Sequence, residues 1–324
     1  MILLHDDDIG KWLDWPTLIE ALREGHKRGV DVVERLLLSE EEGRRAGAAN
    51  HLLIWSAWRF GAYCGAKLVT VFPENRGGLA TNATVYVLFD GKEGRPLATI
   101  ESSEFTLRKT AADSALGASY LARRDAHSLL VIGAGGQAYS QVQALRAVRP
   151  SIREVRIWNR TTEKAKALAA RLARGGVAAE VVEDLSIAVP SASIISMLTA
   201  AMSPLLDGTK LSPGTHVDLV GSFTPTMRET DDETVRRASL FVDTRRFTLE
   251  VTGDLAIPLA AGVIRESDIL ADLFELARGD HPGRQSPQEI TLFKNGGGGH
   301  LDLMTAIAVY ERARPGTAAS SAFV

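Results

Sequence analysis

Ser128-Leu129-Leu130-Val131-Ile132-Gly133-Ala134-Gly135-Gly136-Gln137-Ala138 is the stretch on which the reading of this chain turns. Its first five residues form a short apolar run suited to a strand buried on both faces of a parallel sheet. Glycines follow at once. Gly133 suits a tight turn, Gly135 lets a backbone approach a pyrophosphate, and Ala138 is small enough for a helix to pack closely on the strand. A helix from about Gln137 to Val148 then points its free amide groups at phosphate oxygens. Glu154-Val155-Arg156-Ile157-Trp158 supplies a second strand, so strand, turn, helix and strand fit one unit. A glycine string alone is a weak signal; its setting between these elements makes it a dinucleotide site.

The end of the second strand speaks about which dinucleotide. An NAD site usually places Asp or Glu there to accept from the ribose 2′-hydroxyl, and a carboxylate repels a 2′-phosphate. Here the corner is Asn159-Arg160-Thr161, two neutral hydrogen-bonding residues around a guanidinium that can grip phosphate oxygens. NADP(H) is therefore the expected cofactor and NAD(H) the alternative. Gly133, Gly135, Gly136, Gln137, Ala138, Asn159, Arg160, Thr161, Thr199 and Gly221 are the cofactor-side candidates.

Composition frames this reading. The chain has 324 residues, 45% hydrophobic and 24% charged, enough for a large core and two domains. Its formal net charge is −3, with no basic block of the kind that nucleic acid recruits. The single cysteine, Cys64, excludes an intramolecular disulfide and a cysteine-cluster metal site. The N-terminal stretch turns acidic at Asp6-Asp7-Asp8 where a signal peptide stays apolar, and no run reaches membrane-spanning length. A cytoplasmic protein with small-molecule partners, no metal and no membrane contact is expected.

Along the chain, Pro16 to about Lys27 has helical spacing, and the charge-rich stretch after it reads as a loop to about Asn50. The period then changes. Leu52–Trp55, Lys67–Phe72 and Thr84–Phe89 read as strands, and Asp90-Gly91 turns the chain into a returning strand at Pro96–Ile100. A helix from about Leu107 to Leu121 leads into the nucleotide unit. After it come a helix at Thr162–Leu172 and strands at Ile194–Met197, His216–Val220 and Leu240–Val242. The expected fold is α/β: a Rossmann-type doubly wound parallel sheet (116–299) with a sheet-rich α+β domain (1–115 plus 300–324). A helix from Leu301 to about Arg312 precedes a tail rich in Ala and Ser that reads as frayed.

Lys67-Leu68-Val69-Thr70-Val71-Phe72-Pro73-Glu74-Asn75, Gly78-Leu79-Ala80-Thr81, Thr110-Ala111-Ala112 with Ser114-Ala115-Leu116, the nucleotide loop, and Ile290-Thr291-Leu292-Phe293-Lys294 together resemble the ornithine cyclodeaminase and mu-crystallin family. That family also contains ketimine reductases and one kind of alanine dehydrogenase, and the resemblance covers almost the whole chain. It implies a homodimer whose N-terminal domain serves substrate binding and dimerisation, and a cleft holding substrate against the nicotinamide.

Lys67 is the first catalytic candidate. A lysine starting an apolar strand is awkward unless a cleft or an anion receives it, the structural alternative being a snorkelling strand-end side chain. The resemblance places it beside the reacting carbon, where burial lowers a lysine pKa into the working range. Before Thr110-Ala111-Ala112 the family carries an Arg that clamps the substrate carboxylate. This chain has Lys109 there and Arg108 one residue earlier, and neighbours on a helix point about 100° apart, so both stay open as the clamp. The loop after His216–Val220 reads Gly221-Ser222-Phe223-Thr224-Pro225, with Phe223 where cyclodeaminases place an Asp. That departure favours the reductase branch; Asp218, in the strand itself, is either a substitute for the missing carboxylate or, as expected first, a structural strand aspartate. Asn295-Gly296-Gly297-Gly298-Gly299-His300 suggests an enlarged pocket or flexible lid, with His300 as a proton donor or a solvent-facing helix-start residue. Arg45, Asn75 and Thr81 complete the substrate-side candidates.

The expected activity is NADPH-dependent reduction of a small α-imino acid. Hydride passes to the imine carbon, a cation near Lys109 holds the carboxylate, and Lys67 orients substrate and supplies the proton to nitrogen. The alternatives are an ornithine cyclodeaminase-type lyase, alanine dehydrogenase-like reductive amination, and a non-catalytic mu-crystallin-like binding protein.

Overall fold

The computed structural model describes residues 1–40 and 49–314, so Arg45 and the frayed-tail expectation lie outside the described residues. The chain forms two compact units, Met1–Lys109 with the chain from Gly298 onward, and Thr110–Gly297.

The first unit contains β1 (Ile2–Leu4), α1 (Asp6–Trp12), α2 (Trp15–Arg28), β2 (Val32–Glu40), β3 (Asn50–Arg59), β4 (Tyr63–Val71), β5 (Asn82–Asp90) and β6 (Pro96–Glu101). Helix α3 (Ser103–Leu121) follows and carries the chain into the second unit. The sheet order is β1-β6-β5-β4-β3-β2, antiparallel apart from the β1–β6 pair. Sequence sets the local boundaries. Asp14 caps α2 by accepting from the Thr17 amide at 2.9 Å, and the helix ends at Gly29, whose φ of 78° suits glycine. Asp90 closes the β5–β6 hairpin by accepting from the Lys92 and Glu93 amides at 2.8 and 3.1 Å.

Strand β2 corrects the expectation of a loop. It pairs with β3 from Val32 opposite Trp58 to Glu40 opposite Asn50. An edge strand tolerates charges such as Glu34 and Arg35, and that mixture hides its period.

The second unit runs β7 (Ser128–Ile132), α4 (Gln137–Val148), β8 (Glu154–Trp158), α5 (Thr162–Arg174), β9 (Glu180–Val181), α6 (Leu185–Ala188), β10 (Ile194–Met197), β11 (His216–Leu219), α7 (Asp232–Arg237), β12 (Ser239–Val242), α8 (Arg245–Thr248), α9 (Gly253–Ala260), β13 (Ile269–Asp272), α10 (Leu273–Arg278) and β14 (Thr291–Lys294). Its wholly parallel sheet has the order β13-β12-β14-β11-β10-β7-β8-β9. Strand order reverses between β7 and β10, the switch point where doubly wound sheets bind ligands. Alternate residues of β7 feed opposite cores: Leu130 and Ile132 join Ile195, Val217 and Leu219, while Leu129 and Val131 join Val142, Val155 and Leu168. Burial on both faces is why β7 reads as an unbroken apolar run.

The last helix, α11 (Gly299–Ala313), belongs to the first unit, where it packs against β3, β4 and α2. It is buried continuously from Gly299 to Val309. Apolar and small residues on most of its faces suit that position, with Asp302 a buried acid among them. Among the described residues no helix is long and apolar enough to cross a membrane.

Candidate active site

Strand alternation turns Lys67 of β4 toward α11, and the helical phase of α11 presents Asp302 to it. Lys67 Nζ lies 2.8 Å from Asp302 Oδ2 and 3.1 Å from Oδ1, and Lys109 Nζ lies 3.1 Å from Oδ1. All three side chains are buried. Fully ionised, two ammonium groups share one carboxylate, which leaves one net positive charge in a low-dielectric setting. Two responses relieve it: binding an anion, or losing a proton. Burial brings Lys67 down to about 8, with Lys109 adding to the effect and Asp302 opposing it. Burial works to raise the Asp302 carboxyl, but Lys109 and Lys67 outweigh it and hold the group below the usual carboxylate value.

The helical step separates the two clamp candidates. Arg108 donates to the Leu13 carbonyl at 2.6 Å, meets Glu104 at 3.4 Å and covers the Trp15 ring at 4.3 Å. Lys109 alone reaches Asp302, so Arg108 is a packing residue between α3 and the N-terminal helices.

A further cation, which the sequence reading missed, lies on the same sheet face. Cross-strand register sets Arg35, Trp55, Lys67 and Tyr86 in one row over β2, β3, β4 and β5, with the Arg35 guanidinium 5.1 Å from the Trp55 ring. An aromatic flanked by two cations accommodates a planar anionic ring. The signal was out of reach because the β2 segment read as loop. Asp302 was missed for another reason: it lies inside the apolar run Leu301-Asp302-Leu303-Met304, where an acid without a visible partner gives no pattern.

Of the remaining substrate-side candidates, Asn75, Thr81 and His300 lie among the described residues. Asn75 Nδ2 donates to the Ala80 carbonyl at 2.6 Å, and the Phe72 amide donates to the Thr81 carbonyl at 2.7 Å, so both residues close the loop after β4. His300 is buried in α11 with its ring edge-on to His26 at 5.7 Å. Burial holds its ring well below the usual histidine value, which corrects the expectation of a proton-donating His300: a neutral, enclosed imidazole is a packing group at neutral pH. The glycine run is likewise held. Asp243 accepts from the Gly296 and Gly297 amides at 2.9 and 2.6 Å, and Gly297 and Gly298 have φ of 71° and 150°. These glycines satisfy a hydrogen-bonded turn, against the flexible lid that was one of the two expectations, the other being an enlarged pocket.

In the second unit the nucleotide loop has the expected form. Gly133 has φ of 114°, donates to the Trp158 carbonyl at 2.8 Å, and has no room for a Cβ, which would lie 2.7 Å from the Leu198 carbonyl oxygen. At Gly135 and Gly136 an added Cβ would meet nothing within 4 Å, so the backbone is open on the side where phosphates would lie. Ala138 is buried, and no side chain caps α4, which begins at Gln137. The loop borders a cavity of about 550 Å3 lined by Gly133, Gly135, Asn159, Arg160, Thr161 and Thr199, among others. Asn159 braces it, accepting from the Ala134 amide at 3.1 Å and donating to the Thr161 carbonyl at 2.9 Å. Lys164, absent from the sequence reading, also lines the cavity, one helical turn after Arg160. Gly221 donates to Glu229 at 2.7 Å. Asp218 is buried in β11 and accepts from Ser196 and Gln141 at 2.6 and 2.7 Å, a structural position. Phe223 is 65% exposed and brings no carboxylate to the loop after β11.

The ornithine cyclodeaminase/mu-crystallin family model matches residues 50–317. A Delta(1)-pyrroline-2-carboxylate reductase of Paracoccus denitrificans is 43% identical over 307 residues, 94% of each chain. Among solved structures, the Thermococcus litoralis Delta(1)-pyrroline-2-carboxylate reductase in complex with NADH and L-proline has a TM-score of 0.86 at 31% identity, covering 97% of both chains. The iminosuccinate reductase of Paracoccus denitrificans in complex with NAD+ has a TM-score of 0.85 at 28% identity, covering 96% of this chain and 95% of that one.

Proposed function

The chain belongs to the ornithine cyclodeaminase/mu-crystallin family, and from that premise we propose that it is an oxidoreductase that reduces the C=N bond of a small α-imino acid. A five- or six-membered cyclic ketimine carboxylate is the substrate class. The observation that carries this reading is the buried Lys67–Asp302–Lys109 cluster, whose net positive charge suits a substrate that is an anion and that needs a proton.

The residues of the second unit fit a nicotinamide dinucleotide: an open Gly135–Gly136 backbone, an α4 start without a side-chain cap, and a cavity of about 550 Å3. When bound, the reduced cofactor supplies the hydride that adds to the imine carbon. Lys109 neutralises the substrate carboxylate as a point charge, and Arg35 offers a guanidinium fork on the same sheet face. Trp55 presents an aromatic surface to the planar imine. Lys67, brought down to about 8, carries a proton at neutral pH and gives it to the substrate nitrogen as the C=N bond becomes a C–N single bond. Asp302 keeps both lysines in place.

NADP(H) is the preferred form of the cofactor. Arg160 and Lys164 line the cavity beside Thr161, and no carboxylate is among its lining residues to repel a 2′-phosphate. The working form is a homodimer: the sheet face opposite α11 exposes Leu36, Leu38 and Trp58, each about half accessible, an apolar surface of the kind that self-association covers. The site of action is the cytoplasm, in keeping with a single unpaired cysteine.

The test follows NADPH and NADH absorbance with Δ1-pyrroline-2-carboxylate, its six-membered homologue, and 2-oxo acids with and without ammonia. Oxidation of NADPH by a cyclic imine alone is expected. Turnover only with a 2-oxo acid plus ammonia would move the protein to reductive amination, and ammonia release from ornithine would make it a cyclodeaminase. Nucleotide binding without turnover on any of these would leave a binding protein.

A further inference from the structure

Glu229 has no part in the chemistry above, yet it stands where the loops after β10 and β11 meet, both within the second unit. Its Oε1 accepts from the Thr199 amide at 2.7 Å and the Thr199 hydroxyl at 2.8 Å. Its Oε2 accepts from the Gly221 amide at 2.7 Å and the Ser222 amide at 3.3 Å. The carboxylate is buried, and its backbone is fixed in turn: the Glu229 amide donates to Asp254 Oδ1 at 2.7 Å, and Lys294 holds Asp254 Oδ2 at 3.2 Å. The packing leaves no slack, because a Cβ on Gly221 would lie 2.1 Å from the Thr199 carbonyl oxygen and 2.6 Å from Glu229 Oε1.

Thr199 lines the nucleotide cavity, and the next residues, Ala200, Ala201, Met202 and Ser203, continue its wall. One buried carboxylate thus fixes the start of this wall to the start of the β11 loop. We infer that Glu229 is a positioning residue for the dinucleotide, acting through Thr199 to hold the β10 loop in its binding conformation. The inference rests on the assignment of this cavity to a nicotinamide dinucleotide. Burial of a carboxylate needs strong acceptor bonds to compensate, and three backbone amides, which can only donate, face its two oxygens beside the Thr199 hydroxyl, so a donor placed on either oxygen meets at least one N–H head-on.

Glu229→Gln tests this. Whichever way the amide is turned, its NH2 faces either the Thr199 donors or the Gly221 and Ser222 amides. Binding of NADPH and of NADH, read from the fluorescence of the reduced nicotinamide, is expected to weaken at least tenfold. With saturating cofactor, the imine KM should stay within twofold of wild type and kcat within threefold. Thr199→Val, which removes only the hydroxyl bond, is expected to weaken NADPH binding about threefold, Thr199→Ser to restore it, and the double variant Glu229→Gln/Thr199→Val to bind no worse than Glu229→Gln alone. A lowered Tm with unchanged nucleotide Kd would make Glu229 a purely structural residue and overturn the inference. If Glu229→Gln does not fold, Thr199→Val and Thr199→Ser decide, and equal Kd values for the two overturn it. Wild-type protein that binds neither NADPH nor NADH would overturn the cofactor assignment along with the inference, whereas wild-type binding with unchanged variants overturns the inference alone.

Discussion

The nucleotide loop and the lysine cluster are built on opposite principles. The loop of the second unit is a backbone site: Gly133, Gly135 and Gly136 contribute by lacking side chains, and eleven consecutive residues carry nearly all of it. The cluster of the first unit is a side-chain site assembled from β4, α3 and α11, with Lys67 and Asp302 separated by 235 positions. Gly133 holds a φ that only glycine adopts cheaply, while Gly135 and Gly136 keep the backbone open, so loss at any one of them is local. A buried charge cluster depends on each member compensating the others, so removing one disturbs all.

That contrast can be broken from either side. The largest expected effect comes from Lys67→Met, which should lower kcat/KM for the imine by about 10^3-fold while NADPH Kd stays within twofold; turnover within tenfold of wild type would remove Lys67 from the chemistry. Asp302→Ala comes next. Two ammonium groups are left buried without their anion, and stability at pH 7 should fall by about 3 kcal/mol or more in chemical denaturation. Without Asp302 the folded-state Lys67 pKa drops further below about 8, so the folded variant sheds a proton that the folded wild type keeps, and the deficit should shrink as pH rises toward 8 and level off above it. A deficit independent of pH below 8 would mean that Lys67 does not feel Asp302.

On the nucleotide side, Arg160→Ala should raise NADPH Kd about tenfold, the worth of one charge-assisted contact, with NADH Kd within twofold. Equal changes for both nucleotides would remove the 2′-phosphate preference. The smallest effect is the pH profile. With Lys67 protonated below about 8, kcat/KM for reduction should be flat near neutrality, halved near pH 8 and falling above it. A profile flat to pH 10 would exclude Lys67 as the proton source.

Legibility followed the same division. The parallel sheet was readable because β7, β10 and β12 are short, mainly apolar runs and β8 and β11 keep apolar residues at alternate positions, with turn signals between them. Strand β14 was not assigned as a strand: it inserts between β11 and β12, a pairing that no local pattern encodes. Edge strand β2 hid behind its charges, and Arg35 was lost with it. Lys67 stood out because an ammonium in an apolar strand demands an explanation. The choice between Arg108 and Lys109 stayed open until their partners, the Leu13 carbonyl and Asp302, were located. His300 drew attention for its chemistry, while Asp302, two residues on, holds the cluster. Such a carboxylate becomes visible only when three distant segments are brought together.

The decisive observation is the fate of the transferred hydrogen. NADPH deuterated at nicotinamide C4 on the transferred face, incubated with the protein and Δ1-pyrroline-2-carboxylate without ammonia, should give proline carrying one deuterium at Cα, read by mass spectrometry. Proline without deuterium at Cα, or no proline although NADPH binds, would contradict hydride transfer to an imine carbon as the reaction of this chain.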